Sequence, residues 1–247
     1  MARSAWPRRQ LSRQSSGVSS VSGVTPLKLQ SRYWTTGPNA EQDVFRRLAT
    51  SVSVPPRLSS PGRMNTLAPS AEQLAQVLLQ ESLPRRWAHV QGVAARARSL
   101  AAVLGAGADL LEAAAWLHDI GYAPGLATTG LHQLDGARYL RDARHADAML
   151  CRLVAYHSCA IIEAGERGLA VVLGLEFEPA PQVLSSVLTF CDMTTSPDGE
   201  LVTVGKRLAE IQQRYGPGHL VSRSIQRATP MILRAGEQVN DRAARSA

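Results

Sequence analysis

The sequence predicts an all-α protein, and three observations carry that expectation. From about Ala68 onward apolar residues recur at three- and four-residue intervals, the texture turns rich in Ala and Leu, and clusters of β-branched residues are few. Residues Pro84–Leu104 place Val90, Val93, Ala97, Leu100 and Leu104 on one helical face. Asp109, with Glu112 three residues later, is expected to cap a helix ending at Gly121, with Pro124 beyond. Further helices are expected over His132–Arg141, His145–Ser158, Pro181–Met193, Val204–Tyr215 and His219–Val239, the last broken or kinked by Pro230. Leu169–Leu175 is the one strand-like run, and Ser196-Pro197-Asp198-Gly199 reads as a turn. One domain is expected over residues 67–240, with a functional core at about 85–193. Helices at 204–239 would pack on that core, carry no catalytic motif and offer a face for a homodimer.

Composition narrows the function classes. The 247 residues are 45% hydrophobic and 19% charged, and no apolar run approaches the roughly eighteen residues of a membrane-spanning helix. Three Cys (Cys151, Cys159, Cys191) are too few for a disulfide framework, and a reducing cytoplasm is the expected compartment. The net charge of +7 is concentrated at the start of the chain. Residues 1–63 hold nine Arg and Lys28 against Glu41 and Asp43, whereas the remainder has 17 basic and 18 acidic side chains. So neutral a body is not expected to bind nucleic acid specifically. Residues 1–66, rich in Arg, Ser and Pro, read as a disordered tail broken by a short helix at 39–50. The tail also has the composition of an organellar transit peptide, and Met64 would make a natural start.

Histidine is the informative residue type. His89 shares its face with Val93, Ala97 and Leu100, and so points inward. His118 follows Ala114 and Ala115 and is followed at once by Asp119. Adjacent residues on a helix diverge by about 100°, so both can reach one ion only where the helix is ending. Asp192, four residues after Leu188, puts a carboxylate on the inner side of a later apolar helix. A buried Asp without a partner costs several kcal/mol, and a cation is its simplest partner. His145 and His219 are expected at exposed helix starts, and Cys191 in the core.

The stretches Arg86-Trp87-Ala88-His89-Val90 and Ala113-Ala114-Ala115-Trp116-Leu117-His118-Asp119-Ile120-Gly121, with the later Asp192, resemble the HD-domain superfamily of metal-dependent phosphohydrolases. That resemblance implies an all-α fold in which His89, His118, Asp119 and Asp192 bind a divalent cation, with Asp119 able to bridge to a second. His132 and His157 stand where binuclear branches hold the second metal. They would otherwise line the pocket and touch phosphate. The chain departs from the HD-GYP phosphodiesterases at Tyr122, where that group has Lys, and after His157, where no Gly-Tyr-Pro element follows.

One or two ions of Mn, Fe, Co, Ni, Zn or Mg are the expected cofactor. Such an ion lowers the pKa of coordinated water toward about 7 and polarises a phosphoryl oxygen. Asp119, Arg86, His132 and His157 are the catalytic candidates, Arg86 as a cation facing the phosphate; Arg85, Arg138 and Lys206 are weaker ones. The Tyr122–Leu131 loop, with Gly125 and Gly130, is expected over the metal mouth. The expected activity is hydrolysis of a small phosphate ester or nucleotide. A di-iron oxygenase using the same residues, and a non-catalytic metal-stabilised sensor or scaffold, are the alternatives.

Overall fold

The computed structural model describes residues 67–246, and every regular element there is helical. The expected tail and its helix at 39–50 lie outside the described residues. In chain order the helices are α1 (Leu67–Leu79), α2 (Pro84–Ser99), α3 (Ala101–Leu104), α4 (Ala108–Leu117), α5 (His132–Asp142) and α6 (Ala148–Tyr156). They continue with α7 (Ala160–Glu166), α8 (Ala170–Glu176), α9 (Gln182–Met193), α10 (Val204–Tyr215) and α11 (Leu220–Ser246). Short 3₁₀ turns stand at Gly105–Gly107, Ile120–Tyr122 and His157–Cys159. No helix among the described residues is long and apolar enough to cross a membrane.

Local chemistry explains most boundaries. Pro84 opens α2, where its missing N–H is no loss. Asp147 caps α6 by accepting from the amides of Met149 and Leu150, so that helix starts later than the expected His145. Thr203 caps α10, and Gly216, at φ 77°, stops it. The expected strand-like run is helix α8, which buries only Leu173 and leaves Val171 and Leu175 exposed. α11 continues through Pro230 to Ser246, past the expected end at Val239.

The Asp109 cap belongs to a different helix from the one expected. Its carboxylate accepts from the amides of Leu67 and Ala68, each at 3.2 Å, and so anchors α1 to α4. Asp109→Ala is expected to cost about 1 kcal/mol. That amounts to a fall in melting temperature of about 2–4 °C with metal content unchanged, checked by thermal unfolding and metal analysis.

The main core is built where α1 and α2 pack on α4, with α5, α6 and α9 around them. Leu79, Leu111, Leu117, Leu134, Leu150 and Leu188 are fully buried there, and Trp87 stacks on Trp116 at 5.5 Å. Met193, Ile211, Ala228 and Ile232 form a second, smaller cluster that joins α9, α10 and α11. Two glycines set a close approach: a Cβ on Gly92 would stand 2.4 Å from the Gly199 carbonyl oxygen. The 196–199 turn is thereby pressed against α2, beside His89.

Candidate metal centre

Six side chains from five parts of the chain meet at one buried place. His89 comes from the middle of α2, and His118 and Asp119 from the end of α4. His132 begins α5, His157 follows α6, and Asp192 lies in the last turn of α9. All six are buried. The α4 helix stops at Leu117, four residues before the expected Gly121, and that early stop lets both His118 and Asp119 face inward.

Three of the imidazoles are tethered by the same device. Nδ1–H of His89 donates to the Ser196 carbonyl at 2.9 Å, that of His118 to Ala115 at 2.7 Å, and that of His157 to Val154 at 2.7 Å. A carbonyl oxygen can only accept, so in the neutral ring the proton sits on Nδ1 and Nε2 presents a lone pair inward. Nε2 of His89 then stands 3.1 Å from Asp192 Oδ1, and Nε2 of His157 is 3.1 Å from Nε2 of His132. Nε2 of His118 is buried and has no hydrogen-bond partner among the described residues. Lone pairs and carboxylates at such distances repel unless protons or cations stand between them.

Asp119 divides the cluster. Its Oδ2 lies 3.4 Å from His118 Nε2 and 3.8 Å from His89 Nε2, while Oδ1 lies 3.2 Å from His132 Nε2 and 3.8 Å from His157 Nε2. Three groups with ligand spacing result: His89, His118 and Asp119; His118, His157 and Asp192; and Asp119, His132 and His157. Nitrogen and carboxylate donors in this arrangement are compatible with a divalent cation. The Ser158 hydroxyl donates to Asp192 Oδ2. Ser158 and Cys159 both lie in the left-handed region, at φ 49° and 62°, a costly backbone that turns the chain sharply after His157.

The charges follow from this crowding. Burial disfavours the ionised forms of Asp119 and Asp192, yet the surrounding cations win. Arg86 and His118 hold the Asp119 carboxyl well below the usual range, and His89 and His118 do the same for Asp192. Burial lowers His118, but the Asp119 carboxylate outweighs it and the net shift is upward. His157 is pushed down to about 3 by burial and by His118 and His132. A raised His118 carries its proton further into the neutral range, and a metal must displace that proton. Manganese affinity is therefore expected to rise as pH climbs through and above the ordinary imidazole range, with protons released on binding. Calorimetry in buffers of different ionisation heat checks this, and a pH-independent affinity would contradict it.

Some expected roles change. Arg86 pairs with Asp119 Oδ2 at 2.5 Å and lies 4.0 Å over the Tyr122 ring, which itself stacks on His132 at 4.0 Å. It thus braces a candidate ligand as well as bordering the cavity. Arg85 is an exposed partner of Asp198, Arg138 pairs with Glu176, and Lys206 is exposed; neither Arg138 nor Lys206 borders the cavity. His145 and His219 are exposed, and Cys191 is buried with its thiol pushed up to about 12 by burial, as expected of a core residue.

The loop expected over the mouth is drawn aside. Asp135 accepts from the amides of Thr128 and Thr129 and from the Thr128 hydroxyl, so of residues 122–131 only Tyr122 borders the cavity. The outer wall is made instead by Arg207, Ile211, Arg214 and Tyr215 of α10 and by Val221, Ser224, Ile225 and Ala228 of α11. These residues were missed because no metal-ligand motif marks them. Their spacing was the available signal: Arg207, Ile211, Arg214 and Tyr215 recur at the intervals of one helical face.

Residues 86–192 match the family model of the HD domain, which spans every one of the six cluster residues and ends at Asp192. No curated protein and no solved structure is detectably similar to the chain. The helical fold and the clustered His and Asp residues agree with that match, and residues 86–192 are consistent with an HD domain.

Proposed function

We propose that this protein is a metal-dependent phosphohydrolase that cleaves a small phosphate ester or nucleotide. HD domains are in general metal-dependent phosphohydrolases, and that class is the starting point. One observation carries the reading to this chain: three imidazole lone pairs and two carboxylates converge in a buried space where Arg86 is the nearest fixed cation. His89, His118, Asp119 and Asp192 would hold one ion, and Asp119 with His132 and His157 a second. When bound, such ions supply an activated water and polarise the phosphoryl oxygens.

The remaining work falls to protein groups. The three backbone tethers fix the ring orientations before any ion arrives, so little reorganisation is needed on binding. Arg86 offers the donors not used by Asp119 to an anionic phosphoryl group. Its stacking on Tyr122 restrains the guanidinium plane.

The test is metal analysis of the purified full chain together with a panel of phosphate esters and nucleotides, assayed in air and without oxygen. Stoichiometric transition metal and hydrolysis undiminished under anaerobic conditions are expected. Turnover that consumes oxygen would replace this reading with oxygenase chemistry. Metal-loaded protein inert toward the whole panel would favour a sensor or scaffold.

A further inference from the structure

We infer that Arg207 and Arg214 form a second anion subsite, and that the substrate carries a further phosphate group beyond the one that reacts. The inference deepens the phosphohydrolase reading and rests on it for the word substrate, although the subsite itself can be tested without any turnover. Both arginines lie outside residues 86–192, in a region to which no role is otherwise attached.

Arg207 is buried, with 6% of its surface exposed. Its Nη1 pairs with Glu210, while its Nε–H is buried without a partner among the described residues. Arg214, further along α10, donates to the same Glu210 oxygen at 2.7 Å. One carboxylate therefore serves two guanidinium groups, and a buried N–H is left over. Native structures rarely leave such a donor unmatched, and an anion in the cavity that Arg207 borders would supply the missing acceptor.

Position decides which anion. Arg207 and Arg214 border the metal-side cavity together with Arg86, and the same three residues with His89 border an adjoining cleft. The metal-side cavity has room for about 90 Å³ and the cleft for about 290 Å³. Small-molecule sites are typically several hundred Å³, so the inner space suits a reacting phosphoryl group and the cleft the rest of the molecule. Arg85 and Arg86 add to the cationic lining of that cleft. Against four arginines stand three carboxylate partners: Asp198 on Arg85, Asp119 on Arg86, and Glu210 shared by Arg207 and Arg214. Asp119 is itself a candidate metal ligand, and a cation there would compete with Arg86 for it. A substrate anion flanked by a second phosphate, as in a diphosphate or a bisphosphate, matches this distribution better than a monophosphate does.

The experiment titrates methylenediphosphonate and methylphosphonate, which are not hydrolysed, into the full chain with its metal in place, and measures metal content in every sample. The diphosphonate is expected to bind at least about tenfold more tightly than the monophosphonate, the effect of one added charge-assisted contact. Arg214→Gln, at an exposed position, is expected to lower diphosphonate affinity about tenfold with metal content and melting temperature unchanged. Arg207→Lys should do the same, because a point charge does not replace the guanidinium fork. Arg227→Gln, which makes the same charge change away from both cavities, should move neither affinity. Equal affinity for the two phosphonates, or an affinity ratio untouched by Arg214→Gln, would overturn the inference. If the ratio holds while no phosphate ester is cleaved, the subsite stands and the hydrolase reading falls.

Discussion

Asp119→Ala is expected to lose bound metal and hydrolysis together. The carboxylate is the one group that faces both halves of the cluster, with Oδ2 toward His89 and His118 and Oδ1 toward His132 and His157. Its removal would take a candidate ligand from each half at once. It also leaves Arg86, whose side chain is about three-quarters buried, facing the imidazoles without its counter-ion. Activity is expected to fall at least about a thousandfold, equivalent to about 4 kcal/mol of lost transition-state stabilisation. Metal analysis should find less than one ion per chain, and circular dichroism should report the helices intact. A variant that keeps both metal and activity would remove Asp119 from the site and the hydrolytic reading with it.

The second large effect is on folding. A Cβ on Gly121 would lie 1.9 Å from the carbonyl oxygen of His132 and 2.7 Å from the amide nitrogen of Gly136, both main-chain atoms. Neither can rotate away as a side chain would, so Gly121→Ala must push α5 off the 3₁₀ turn at Ile120–Tyr122. A loss of about 3 kcal/mol or more is expected, or roughly 6–12 °C in melting temperature for a domain of this size. His132 leads α5, so the protein that does fold should also bind metal more weakly. Gly165→Ala provides the contrast: nothing lies within 4 Å of the place its new methyl would take, and the α7 helix should gain about 0.5–1 kcal/mol. Equal melting temperatures for the two variants would show the contact at Gly121 to be compliant.

The candidate centre was legible because of where its residues sit. His89, His118 and Asp192 each interrupt an apolar face, and burying such groups is unfavourable without a shared partner. What the sequence could not reveal is what orients them. The three acceptors of the Nδ1 protons are backbone carbonyls of Ser196, Ala115 and Val154, and any residue type supplies one. The same indifference misdirected the reading of Asp109, since a carboxylate caps whichever helix start the tertiary fold brings to it. Here that start is Leu67, forty-two residues away. The 169–175 run was ambiguous because a short apolar-rich stretch, preceded by Gly168 and interrupted by Gly174, satisfies either period. The loop after Tyr122 was misplaced because the tie that folds it back, Asp135 to Thr128 and Thr129, reads in sequence as ordinary helix polarity.

The cavity's inner and outer walls come from separate stretches of the polypeptide: the His and Asp side chains lie between Arg86 and Asp192, whereas α10 and α11 close the opposite side. On the hydrolytic reading proposed above, reactivity and selectivity would be encoded in different parts of the gene. Replacements in α10 would then retune which molecule is accepted while the His and Asp cluster stays untouched.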